Sequence, residues 1–257
     1  MLPTLFLSHG SPMTALEDTP ARRFLAGLGA ALPPPKAILV ASAHWEAAEP
    51  TLSAPARNET IHDFYGFPRP LYELRYNAPA APALAARAVD LLKGMGAVAD
   101  RARGLDHGAW VPLLLGWPEA DVPVAQISIQ THLGAAHHLT LGAALAPLRD
   151  EGVLIIGSGS FTHDLRRFRR GVALDAPETA DVTAFSAWMN ERILARDVAA
   201  LADYRRQAPY AVEEHPTEEH ILPLHVALGA AGAEARAARL HSSVEFGFMR
   251  MDAYAFS

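Results

Sequence analysis

Short apolar runs ending in glycine, serine or histidine alternate along this chain with longer stretches of helical period, the rhythm of an α/β layered fold. The runs Thr4–Ser8, Ala37–Ser42, Val122–Ile129 and Val153–Ile156 predict buried strands. Helical patterns cover Ala80–Lys93, Gly134–Leu148, Glu178–Leu194 and Glu218–Gly229, with Thr217 suited to cap the last and Gly229 to close it. The tail Arg239–Phe256 alternates, which predicts one or two strands at a sheet edge. Pro33-Pro34-Pro35 predicts a rigid turn before the second strand, and Phe64-Tyr65-Gly66-Phe67-Pro68 a folded loop. With no internal repeat and no low-complexity tract, residues 1–257 are expected to form one domain. The expected fold class is α/β, with a central sheet, mostly parallel or mixed, flanked by helices.

Composition narrows the partners. Half of the residues are hydrophobic and 19% charged, enough apolar surface to bury a sizeable core without staples. A formal charge of -6 argues against nucleic acid, whose binding depends on neutralising phosphates with Lys and Arg. There is no cysteine, so disulfides and zinc–thiolate sites are excluded. The start Met1-Leu2-Pro3-Thr4 lacks the basic and apolar regions of a secretory signal, and a cytoplasmic location is expected. Val122–Leu148 carries no charged residue, yet Gln126, Gln130, Thr131, His132, His137, His138 and Pro147 punctuate it too densely for a membrane span. The expected ligand is a small molecule, and a homo-oligomer is compatible with the sequence.

Histidines carry the candidate chemistry. Ser8-His9-Gly10 and Ala43-His44-Trp45 each follow a predicted strand, so their imidazoles would meet at one edge of the sheet if the two strands are parallel neighbours. His215-Pro216-Thr217-Glu218-Glu219-His220, with His225 beyond it, offers a third candidate ligand. His220 and His225 are not spaced to share a helix face, and Glu218 and Glu219 suit a solvated first turn. Gly157-Ser158-Gly159-Ser160-Phe161-Thr162-His163 follows the fourth strand, and its glycines would let backbone approach a ligand closely. It matches neither a phosphate loop nor a nucleophile elbow. His163 fits a general acid or base, because imidazole titrates near neutral pH, and it also reads as a loop residue capped by Asp164. Asp106-His107-Gly108 allows two readings, an Asp that fixes the tautomer of His107 or a plain helix cap. His132, His137 and His138 read as surface or core residues, and Arg166-Arg167-Phe168-Arg169-Arg170 as a solvated face.

Taken together, Leu7-Ser8-His9-Gly10-Ser11-Pro12, Ser42-Ala43-His44-Trp45, Asp63-Phe64-Tyr65-Gly66-Phe67-Pro68, Asp106-His107-Gly108-Ala109-Trp110, Gly157-Ser158-Gly159 through His163, and His215 to His220 resemble, end to end, the class III extradiol ring-cleavage dioxygenases. This is the LigB-like superfamily, and the order and spacing are those of its 4,5-DOPA dioxygenase-like branch. The resemblance implies that His9, His44 and His220 are metal ligands, with Glu218 or Glu219 in reserve because many superfamily members use a carboxylate as third ligand. It implies that His163 is the acid/base or a further ligand and that His107 borders the substrate. Asp164 stands where many relatives carry Asn. The implied cofactor is Fe(II), which can pass electron density from a catecholate to dioxygen, and Zn(II) fits the same donors. The implied substrates are a small aromatic diol and O2, opened to a semialdehyde, with Trp45, Phe64, Tyr65 and Phe67 as possible pocket walls. Two other readings stand beside it: a zinc-dependent hydrolase, which would turn over without oxygen, and a non-catalytic metal-binding or interaction protein, which would bind metal and turn over nothing.

Overall fold

Residues 1–168 and 171–257 are described by the computed structural model of the chain. Its strands are β1 (Thr4–Ser8), β2 (Ala37–Glu46), β3 (Thr51–Ser53), β4 (Val98–Asp100), β5 (Val124–Ile129), β6 (Val153–Gly159), β7 (Ala237–His241), β8 (Val244–Glu245), β9 (Met249–Arg250) and β10 (Ala253–Phe256). The helices are α1 (Pro20–Leu28), α2 (Arg69–Glu73), α3 (Pro82–Leu91), α4 (His107–Gly116), α5 (Gly134–Leu145), α6 (Ala180–Ala195), the short α7 (Val198–Ala202), α8 (Tyr204–Gln207) and α9 (Ala211–Glu214), and α10 (Leu222–Ala230).

Eight strands form one mixed sheet in the order β4-β3-β5-β2-β6-β1-β10-β7. The middle four, β5, β2, β6 and β1, are parallel neighbours, and antiparallel strands flank them on both sides. Alternate residues of a strand face opposite sides, and the core divides accordingly. Leu5, Leu7, Ile38, Val40, Leu154 and Ile156 pack with Leu25, Leu28, Trp110 and Val111 from α1 and α4. Leu39, Ala41, Ala125, Ile127 and Ile155 pack with Leu84 of α3, Leu141 and Leu145 of α5 and Val226 of α10 on the other face. Burial on both faces explains why the central strands read as continuous apolar runs. Among the described residues no helix is long and apolar enough to cross a membrane.

The sheet departs from expectation at its margins. The tail does supply strands, but β10 lies inside, between β1 and β7, and of the tail's strands in this sheet only β7 takes an edge position. The three-residue strands β3 and β4 are too short to leave a period in the sequence. β2 runs past Ser42 to Glu46, through a wide irregularity: Ala41 pairs with Ile127 and Glu46 with Ile129, so five steps on β2 oppose two on β5. A bulge of this kind bends the strand and re-aims its side chains, and His44 sits inside it.

The last helix also differs. It begins at Leu222 rather than Glu218, because Pro223, which lacks an N–H, is accommodated in a first turn and not in a helix interior. Thr217 caps nothing; its hydroxyl donates to Glu219 Oε1 at 3.0 Å. Gly229 does not end the helix, which continues to Ala230. A Cβ there would lie 2.1 Å from Leu139 O, as one on Gly142 would lie 2.1 Å from Val226 O. The two glycines let α5 and α10 pack backbone to backbone.

Candidate metal centre

Parallel pairing brings the carboxyl ends of β1, β2 and β6 to one edge. β1 and β2 are not direct neighbours, because β6 lies between them; the register sets Ser8 opposite Gly159 and Ser42 opposite Ser158, so His9 and His44 leave from either side of β6 and their rings meet across its end. His9 N donates to Gly159 O at 2.9 Å. His220 reaches the same edge from the turn that precedes α10, and Ser160 N donates to its carbonyl at 2.9 Å. That approach needs the glycines of β6. A Cβ at Gly159 would stand 2.0 Å from His220 O, and one at Gly157 would stand 2.0 Å from Pro223 O. The glycines were expected to admit a ligand; the backbone they admit is that of the His220 turn and α10.

The rings of His9, His44 and His220 lie with centroids 4.9, 5.5 and 4.9 Å apart for the pairs 9–44, 9–220 and 44–220. His9 Nε2 is 3.1 Å from His44 Nε2, which is 3.3 Å from His220 Nε2. The tautomers of His9 and His220 follow from the partners of their other nitrogens. Ser158 has one proton and gives it to Gly108 O, so Ser158 Oγ must accept from His9 Nδ1 at 3.0 Å. His220 Nδ1 donates to Glu219 Oε1 at 3.0 Å. His44 Nδ1 faces Asp63 Oδ2 at 3.6 Å. The unprotonated Nε2 atoms of His9 and His220 thus converge on Nε2 of His44, an arrangement a cation stabilises. Two nitrogens each about 2.0–2.1 Å from one ion, at about 90–110°, would lie about 2.8–3.4 Å apart, and the two Nε2 spacings fall in that range. The donor set therefore fits a divalent metal with nitrogen ligands.

Burial, reinforced by the neighbouring imidazoles, holds His9 and His220 well below the usual histidine range. Burial is also the main reason that His44 and His163 fall to about 4. Neutral imidazole is the form that binds metal.

Two further histidines border the centre. His107 opens α4, its backbone N–H donates to Asp63 Oδ1 at 2.9 Å, and its Nδ1 donates to Asp63 Oδ2 at 3.0 Å. Asp106 is not its tautomer partner. Asp106 caps the helix through Ala109 N at 3.2 Å and spends its remaining capacity on Ser42, Arg103 and Gln126 at 2.6–2.8 Å. Burial pushes the Asp63 carboxyl up, but the hydrogen bonds and charge of His107 outweigh it and hold the group at about 2. The His163 ring stacks on His220 at 3.4 Å and 14°, with Nδ1 3.9 Å from Glu219 Oε1. By distance alone, His9, His44 and His107 form one set of possible donors and His163, Glu219 and His220 another; the His44–His220 contact joins them.

Other candidates lie elsewhere. His215 and His225 are buried and bonded to the carbonyls of Phe161 and Leu201, and His138 accepts from Gln130 N. Glu218 turns to the Tyr204 hydroxyl at 2.7 Å. Asp164 caps nothing on His163; it pairs with Arg166 and Arg167. Arg167 is also held by Asp181 at 2.6 Å and Glu214 at 3.1 Å, so it is not a free solvated cation, while Arg169 and Arg170 lie outside the described residues. Phe64 meets His107 edge-on at 5.7 Å, but Tyr65 is 92% exposed and Trp45 is buried with Arg103 over its ring. Asp63 and Ser158, 3.0 Å from Nδ1 of His107 and of His9 respectively, stand in the sequence only as members of the family motifs, with nothing to assign them a role: Asp63 is 44 residues from His107, and no spacing rule links them.

The same burial sets an acid limit on stability. His44 and His163 at about 4, and His138 and His215 at about 3, all have folded pKa values below the unfolded value near 6.5. Between those limits the unfolded chain binds more protons, so stability falls as pH falls. Glu214, raised by burial to about 7, opposes this between its two pKa values, one group against four. The thermal midpoint of the metal-free protein should therefore drop as pH is lowered from about 6.5 toward 4. A midpoint that is flat or rises over that window would contradict the neutral, buried assignment.

Comparison with known proteins agrees with this geometry. The family model described as the catalytic LigB subunit of aromatic ring-opening dioxygenase matches residues 3–256. A 4,5-DOPA dioxygenase extradiol of Beta vulgaris is 46% identical over 260 residues, covering 99% of this chain and 96% of that one. The protein of the same name from Escherichia coli (strain K12) is 40% identical, covering 89% and 85%. A crystal structure of an uncharacterized protein from Escherichia coli K12 superimposes with a TM-score of 0.84 at 32% identity, each chain covered completely. With a metal-competent cluster of histidines at the carboxyl edge of its sheet and a match over nearly all its length, this chain belongs to the LigB family of aromatic ring-opening dioxygenases and is of the extradiol kind.

Proposed function

We propose that residues 1–257 form one catalytic unit that cleaves a small DOPA-like catechol beside its diol, with Fe(II) held by Nε2 of His9, His44 and His220. The observation that carries this reading is the convergence of those three nitrogens, at 3.1 and 3.3 Å, with Nδ1 of His9 and of His220 each hydrogen-bonded to an acceptor. When bound, the iron supplies the redox step the side chains lack and leaves coordination positions for both substrates. Both atoms of O2 enter the product, so no external reductant is required.

The protein's own share is orientation and proton handling. His163, with Nδ1 toward Glu219, has Nε2 available to take the proton of a catechol hydroxyl and return it as the ring opens. His107, held through Nδ1, presents Nε2 to the substrate as a hydrogen-bond partner. Phe64, edge-on to His107, contributes apolar surface for an aromatic ring. The test is anaerobic loading with Fe(II), then oxygen uptake with DOPA and a panel of other catechols. A yellow ring-opened product with one O2 consumed per catechol is expected. No oxygen uptake with any catechol, or turnover of an amide or ester with Zn(II) and no oxygen, would overturn the reading.

A further inference from the structure

Two carboxylates stand behind the four imidazoles in matched positions. Asp63 Oδ2 faces Nδ1 of His44 and of His107, and Glu219 Oε1 faces Nδ1 of His220 and of His163. Each carboxylate thus lies between one proposed ligand and one proposed acid/base or substrate-facing histidine. Each such pair of rings is also in contact, with centroids 3.9 Å apart for His44 and His107 and 3.4 Å for His220 and His163.

The sharing is unequal, and unequal in opposite senses. Asp63 is 3.0 Å from His107 Nδ1 but 3.6 Å from His44 Nδ1, and its other oxygen accepts the His107 backbone N–H at 2.9 Å. Both of its oxygens are therefore committed to His107. Glu219 is 3.0 Å from His220 Nδ1 but 3.9 Å from His163 Nδ1, and Thr217 steadies the same oxygen at 3.0 Å. Contacts of 3.6 and 3.9 Å are beyond hydrogen-bond length, so each carboxylate fixes the tautomer and orientation of one ring only.

We infer that Asp63 and Glu219 are positioning residues with divided tasks: Glu219 orients the ligand His220, and Asp63 orients the substrate-facing His107. This rests on the proposed function for the roles of the two histidines, but the division itself is read from the distances.

The chemistry of the two carboxylates makes the variants distinguishable. A carboxamide keeps one acceptor oxygen, which is sufficient for Glu219 because one oxygen takes both its donors. It is insufficient for Asp63, whose two oxygens each take a donor from His107, so an amide NH2 there would face an N–H.

The experiment is an anaerobic titration with Co(II), read by its visible absorption, together with KM and kcat for DOPA at saturating Fe(II). Glu219→Ala should weaken Co(II) binding by about 10–100-fold, Glu219→Gln should recover most of it, and Asp63→Asn should change it by less than about threefold. Asp63→Asn should instead alter the kinetic constants of the fully loaded enzyme, and it should add nothing further in a His107→Ala background, the mark of action through that residue. Circular dichroism and thermal midpoints confirm that each variant is folded.

Equal Co(II) losses in Asp63→Asn and Glu219→Ala, an unchanged Co(II) isotherm in Glu219→Ala, or additive effects of Asp63→Asn and His107→Ala would overturn the division. Those outcomes leave a wild type that binds metal and turns over, whereas a wild type that does neither removes the proposed function along with it.

Discussion

Replacing His163 by alanine should lower kcat of the Fe(II)-loaded protein by about 10²–10⁴-fold, the usual contribution of a positioned acid/base, while metal affinity stays nearly unchanged. The geometry separates the two effects. His163 stacks face to face on His220 and does not belong to the chain of Nε2 contacts that links His9, His44 and His220. Its Nδ1 is loosely placed 3.9 Å from Glu219, so its ring is not locked by a strong acceptor as His107 is by Asp63. Oxygen uptake measures the first quantity and anaerobic Co(II) titration the second. If metal binding and turnover disappear together, His163 is a ligand and its assignment as acid/base is wrong.

The second large effect is expected from a residue with no side chain. Alanine at Gly159 would place a Cβ 2.0 Å from the carbonyl of His220, a contact that backbone must relieve by moving. Overpacking of this kind costs about 1–3 kcal/mol of stability, and here the displaced backbone carries a proposed metal ligand. Gly159→Ala should therefore lose both thermal stability and metal affinity. Gly157→Ala meets Pro223 O at the same 2.0 Å, three residues beyond His220, and should match it in stability loss while retaining more of the metal affinity. Differential scanning calorimetry beside metal titration would compare them. A Gly159→Ala protein that binds metal like the wild type would show that the turn before α10 can shift without moving the His220 ring.

The central sheet was legible because its strands are buried on both faces, which forces continuous apolar runs such as Leu5–Leu7 and Leu154–Ile156. β3 and β4 were not legible, since three residues cannot establish a period. The sequence places the start of α10 too early because Glu218 and Glu219 look like a helix's first turn, whereas Pro223 decides where that turn lies. The alternation of the tail predicts an edge because alternation reports burial on one face and says nothing of neighbours, whereas β10 gains its second neighbour from β7.

At the centre, His9, His44, His107, His163 and His220 are legible in the sequence, through loop positions after strands and through the ordered motifs of the family. The order of residues sets local properties: where imidazoles stand, which runs are buried, and where glycine leaves room beside the backbone. The tertiary structure alone decided that Asp63 and not Asp106 holds His107, that Ser158 sets the tautomer of His9, and that Gly159 makes room for His220. Those are contacts between segments 44 to 149 residues apart or between a strand and a distant turn, fixed by sheet register and by the three extra steps in β2. Local periodicity reports burial within one element, and it has no term for the direction in which a side chain from another element arrives.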